Sequence, residues 1–111
     1  MHRIFEVSYD LRTVPKPNYD ALYADLRSFP GWFQLLQSTW FVYTNLDAAG
    51  VYNRICRHLK TTDYTWVNEV GDQYTGWLPK PAWEWLDNAK TQARIANQPR
   101  PRPGVHVRGF K

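Results

Sequence analysis

Between Arg3 and Asp10 the side chains fall alternately to two sides, with Phe5, Val7 and Tyr9 on one and Ile4, Glu6 and Ser8 on the other. That two-residue period predicts a half-buried first strand, and the strand ends on a carboxylate. Leu11 to Pro17 holds two prolines and two basic residues, which reads as a loop. Asn18 stands where a helix cap would, and Leu22, Leu26 and Phe29 follow at helical spacing, so a first helix is expected from about Tyr19 to Phe29, stopped by Pro30-Gly31. From Trp32 to Thr44 aromatic and β-branched residues dominate around the polar pair Gln37-Ser38, which predicts either a hairpin or one long bent strand. Asn45 or Asp47 can cap a second helix in which Val51, Ile55 and Leu59 form a row beside Tyr52 and Cys56, ending near Lys60. Tyr64 to Val70 reads as a further strand, and Gly76 to Pro79 introduces a third helix with Pro81 in its first turn.

The resulting order is strand, helix, strand or strand pair, helix, strand, then a helical extension. Two helices interleaved among about four strands suit an α+β domain, a ferredoxin-like βαββαβ sheet with both helices on one face, plus a C-terminal helix and a basic tail. The expected division is a domain over residues 1–96 and a tail over 97–111, where Arg100 and Arg102 interleave with Pro99, Pro101 and Pro103 in a pattern that favours extended chain.

Composition changes this picture in two places. An aromatic fraction of 16% within 111 residues is more than one small core hides, so an interface is expected to take the surplus. The formal charge of +4 is uneven: residues 88–111 carry six cations and no acid, which leaves −2 for residues 1–87. The basic character therefore belongs to an appendage and does not make the body a basic nucleic-acid-binding fold. Cys56 is the lone cysteine, which excludes an intrachain disulfide and suits a reducing cytoplasm. No signal-peptide pattern and no apolar run of membrane-spanning length is present, so no membrane partner is expected.

Three segments taken together resemble a known family: Val7-Ser8-Tyr9-Asp10-Leu11 at the first strand end, Gln37-Ser38-Thr39-Trp40 opening a β run, and Trp66-Val67-Asn68-Glu69-Val70-Gly71 in the later strand. They are similar to the small endoribonuclease-like proteins of CRISPR adaptation and, more closely, to their stand-alone SinR-like relatives. Gly76-Trp77-Leu78-Pro79-Lys80 followed by Ala82-Trp83-Glu84-Trp85-Leu86 resembles the ending of the SinR-like branch. The likeness covers most of residues 3–87 and leaves the tail outside. It implies a ferredoxin-like homodimer formed through the sheets. It also implies that Asp10 is an acidic residue near the dimer axis that takes part in Mg²⁺-dependent phosphodiester cleavage; other members of the family are structural DNA-binding adaptors. Where nuclease-assigned members often carry an arginine two positions before the glutamine, this chain has Leu35, and Trp40 replaces a smaller aromatic residue.

Asp10 is the candidate catalytic residue and metal ligand. Magnesium takes one or two protein carboxylates together with water and phosphate oxygens, and a twofold dimer doubles the single acid. The plainer use of such an aspartate is to close the turn after the strand by accepting backbone hydrogen bonds. Arg12 and Lys16 follow in the loop, where they can hold a phosphate or simply be solvated. Arg100, Arg102 and Arg108 can form an arm on an RNA or DNA backbone; Val105 and Val107 can instead pair with a sheet edge, engaging a protein partner, or the tail can be solubilising chain. Trp83 and Trp85, two apart on a helix, are expected to point one inward and one toward a partner. His2, His58 and His106 share no zinc spacing with Cys56, and Cys56 in an apolar row reads as a buried thiol. No serine or cysteine triad and no glycine-rich phosphate loop can be assembled. Two functions remain in view: a metal-dependent endoribonuclease or nuclease-like protein, and a non-catalytic homodimeric module that binds nucleic acid or protein.

Overall fold

A computed structural model describes residues 1–12 and 19–99 of the chain. Four strands, β1 (Arg3–Asp10), β2 (Gly31–Leu36), β3 (Thr39–Thr44) and β4 (Tyr64–Glu69), form one antiparallel sheet in the order β2-β3-β1-β4. Three α-helices, α1 (Tyr19–Leu26), α2 (Ala48–Ile55) and α3 (Lys80–Ala96), complete an α+β fold. Among the described residues no helix is long and apolar enough to cross a membrane.

The alternation in β1 sorts the core into two. Phe5, Val7 and Tyr9 pack with Trp40 and Val42 of β3, Leu22 and Leu26 of α1, and Val51 and Ile55 of α2. Ile4 and Phe41, on the opposite face, pack with Leu86 and Ala89 of α3. So α1 and α2 share one face of the sheet, and α3 covers part of the other. Trp40 is fully buried, and its indole N–H donates to the Tyr9 hydroxyl at 3.0 Å, which meets the one polar need of a large ring in the core. Burial raises the Tyr9 phenol above its ordinary pKa, against the lowering effect of that hydrogen bond.

Of the two forms expected for the Trp32 to Thr44 stretch, the hairpin is the one observed: β2 and β3 pair antiparallel across Gln37-Ser38, with Leu36 opposite Thr39 and a register shift between Gln34 and Leu36. Other expectations need correction. The first helix ends at Leu26, three residues early, because Ser28 turns back with its backbone N–H on the Asp25 carbonyl. The second helix ends at Ile55 and passes into a 3₁₀ turn at Cys56–His58. Cys56 is only half-buried in that turn. Trp83 and Trp85 both pack toward the sheet, because α3 presents a broad apolar side to it: Trp85 stacks on Phe41 with centroids 5.8 Å apart, and Trp83 joins the same cluster. Gly31 permits this approach, since a Cβ there would meet the Tyr43 Cβ at 3.0 Å and the Trp85 ring at 3.6 Å.

Helix ends are held by specific groups. Asp47, in extended conformation, caps α2 by accepting from the Gly50 N–H at 2.8 Å. Asn97 ties the end of α3 to the start of β1, accepting from the His2 N–H at 2.7 Å and donating to the His2 carbonyl at 2.8 Å. These bonds fix α3 against one half of its sheet face.

Candidate functional site

Asp10 lies at the end of a central strand on the side away from α1 and α2. Strand neighbours share a face, so the antiparallel register places Asp10 beside Tyr64, Ser8 beside Trp66 and Glu6 beside Asn68. On the other flank Ser8 pairs with Thr39, and their hydroxyls meet at 3.1 Å. This half of the sheet face is open: Tyr64 is 62% and Trp66 64% exposed. Leu36, Tyr74 and Trp77, also exposed, line a groove together with Glu6 and Asn68 of the same sheet face. Exposed rings side by side on an uncovered sheet face, as Tyr64 and Trp66 are, suit an interaction surface.

The Asp10 carboxylate is solvent-exposed and faces the Arg12 guanidinium at 3.5 Å. Arg12 is placed by a longer-range contact. Its backbone N–H donates to Asp63 at 2.7 Å, Asp63 also accepts from the Lys60 N–H at 2.9 Å, and the guanidinium lies 5.1 Å from the centre of the Tyr64 ring. The chain leaving β1 is thus pinned to the chain entering β4, and an acid, a cation and an aromatic ring share the same edge of the open face. Asp10 and Arg12 lie together as an exposed ion pair. Lys16, Arg100, Arg102 and Arg108 lie outside the described residues. Leu35 packs into the apolar cluster under α3.

A single copy supplies one carboxylate, Asp10, on the open face here, because both oxygens of the neighbouring Asp63 accept from backbone N–H groups of Arg12 and Lys60. Among the described residues no three His, Cys, Asp or Glu side chains gather as a metal-ligand group. A Mg²⁺ ion takes one or two protein carboxylates, so the donor set of one chain is at the lower limit and already has a guanidinium beside it.

A second polar cluster escaped the pattern reading. Asp25, with a side chain 6% exposed, accepts from Arg57 at 2.9 Å, lies 2.9 Å from His58 Nε2, and accepts from Arg54 at 3.3 Å. The Ser28 hydroxyl joins it at 3.3 Å and also receives the Arg54 guanidinium. Burial pushes the Asp25 carboxyl up, but the hydrogen bonds from His58, Arg57 and Arg54 outweigh it and hold the group below its ordinary pKa. The cluster ties α1 to α2. It was legible only in that Asp25 falls between Leu22 and Leu26 on the apolar side of its helix and that Arg54, Arg57 and His58 crowd one turn.

Comparison with family models, with curated proteins and with solved structures found no match, so the reading of the site rests on its geometry and on the residue patterns described above.

Proposed function

We propose that two copies of the chain pair through the open half of the sheet, as a ferredoxin-like module of the CRISPR-adaptation and SinR-like kind, and that the pair acts on RNA or DNA phosphodiesters where two Asp10 side chains meet. The observation that carries this reading is the position of Asp10, exposed at the end of a central strand and bordered by uncovered Tyr64 and Trp66. The strand order β2-β3-β1-β4, with α1 and α2 on one face, supports the ferredoxin-like assignment. Pairing covers the exposed rings and doubles the carboxylate, which raises the donor set from one protein carboxylate to the two that Mg²⁺ also takes. A bound Mg²⁺ supplies charge neutralisation and an activated water. The chain's own part is to hold the ion through Asp10 and to orient a phosphate oxygen through Arg12, with Lys16 in the same loop as a further phosphate contact.

A second reading is favoured by the Arg12 geometry. With its guanidinium 3.5 Å from Asp10 and over the Tyr64 ring, the edge is also suited to hold a nucleic-acid backbone without cutting it. Arg100, Arg102 and Arg108 would then extend the contact, or engage a protein partner. Cleavage of single-stranded RNA and DNA with Mg²⁺, comparing the parent with Asp10→Ala and Asp10→Asn, separates the two. Catalysis predicts loss of cleavage in both variants with pairing retained. Activity equal to the parent in both variants would exclude Asp10 as the catalytic group, and salt-sensitive binding without cleavage by any of the three proteins would establish the second reading.

A further inference from the structure

Beside the open half of the sheet, where the 71–79 connection crosses toward α3, lies a groove of about 470 Å³. Its floor is Glu6 on β1, flanked by Phe41 on β3 and Asn68 on β4, its register neighbours. Trp83 and Leu86 of α3 form one wall. The carboxylate on the groove's own face is that of Glu6, since Glu69 pairs with Phe5 and belongs to the opposite side of the sheet, and among the described residues no lysine, arginine or histidine lines the groove. Glu6 is half-buried on this apolar floor and makes no ion pair with a described residue, whereas Asp10, Asp25, Asp72 and Glu84 each have a cation within 4.0 Å. At the rim, Lys90 already shows the matching chemistry, its ammonium 5.2 Å from the centre of the Tyr74 ring.

A half-buried carboxylate among aromatic rings is electrostatically unbalanced, and the walls favour a ligand with a carbon body. A hard metal ion meets only the first need, because it requires several oxygen ligands. An organic cation meets both, through charge on the carboxylate and through attraction to ring faces.

We propose that this groove binds an organic cation of the guanidinium or alkylammonium class, with Glu6 as counter-ion and Phe41 and Trp83 as the apolar contacts. The site stands apart from Asp10, which lies four residues further along the same strand. It does not depend on the nuclease-like reading.

The test is a titration of the full chain with butylguanidinium and with its neutral isostere butylurea, followed by tryptophan fluorescence and calorimetry. Binding of the cation should saturate and exceed that of the urea by about tenfold or more, the size expected for a charge-assisted contact. Glu6→Gln should lower cation affinity to the level of the urea, and Asp10→Asn should leave it unchanged. Equal affinities for the two compounds on the parent protein, absence of saturation with butylguanidinium, or undiminished cation binding by Glu6→Gln would each overturn the assignment. The comparison on the parent needs no variant to fold.

Discussion

Replacing Asp25 by asparagine keeps the side-chain volume and removes the charge on which two arginines and a histidine converge. Hydrogen bonds to charged groups contribute about 1.5–3 kcal/mol each when shielded from water. The shielding here is unequal, with the Arg57 side chain 66% exposed, Arg54 31% and His58 18%. The Arg57 contact is therefore screened to roughly 1 kcal/mol or less. The asparagine oxygen keeps part of the rest, so the net loss should be about 2–3 kcal/mol at neutral pH. For a domain of this size that is a fall in Tm of roughly 10–20 °C. The sign of the pH dependence follows from the lowered pKa: the carboxylate's contribution is present above its unfolded-state value of about 3.9 and is lost as pH falls through its lower folded-state value. Thermal or urea unfolding of parent and Asp25→Asn between neutral and strongly acidic pH measures this directly. The two stability curves should converge at the acid end. A variant as stable as the parent at neutral pH, or a deficit that does not change with pH, would refute the network as a source of stability.

Trp66→Ser, on the open face, should weaken self-association by about tenfold or more in sedimentation equilibrium, as removal of a central aromatic anchor does, while leaving the monomer's Tm within a few degrees of the parent; unchanged association would move the interface elsewhere. Trp40→Phe removes the donor to Tyr9 and leaves a gap in the core, with an expected cost of about 1–3 kcal/mol in denaturant unfolding. Because burial raises the Tyr9 pKa, stability of the parent should fall as pH rises above about 10, where the unfolded phenol ionises first; a flat alkaline limb would contradict that burial effect. Asp63→Ala frees the Arg12 and Lys60 N–H groups, and should lower nucleic-acid affinity or cleavage by loosening the edge that carries Asp10 and Arg12, at a stability cost of about 1–2 kcal/mol.

Much of the architecture was readable because local chemistry and tertiary environment agree. The alternation from Phe5 to Tyr9 sorts side chains onto two faces, and the same parity puts Asp10 on the face that α1 and α2 leave uncovered. The choice between hairpin and bent strand was open because Gln37-Ser38 lacks the glycine or asparagine that marks a tight turn. Which sheet face α3 would cover was also beyond the pattern: Ala82, Leu86 and Ala89 form a buried stripe, but a stripe does not name its partner surface. The bonds of Asp25 to Arg54, Arg57 and His58 and the placement of Arg12 by Asp63 join residues 29 or more apart, and such contacts leave no trace in local periodicity. The open aromatic face was anticipated only as a surplus of rings; Tyr64 and Trp66 acquire their place beside Asp10 and Ser8 from the β1–β4 register.

The proposed activity requires two copies to meet with their Asp10 positions close together. Asp10→Cys in a Cys56→Ser background, treated with a short bis-maleimide and resolved on a denaturing gel, tests that proximity. Efficient conversion to a covalent dimer, strongly reduced at the same concentration when Trp66→Ser is added, is the expected result. Protein that remains uncross-linked at concentrations where the parent self-associates, or that shows a monomer mass throughout, would contradict it.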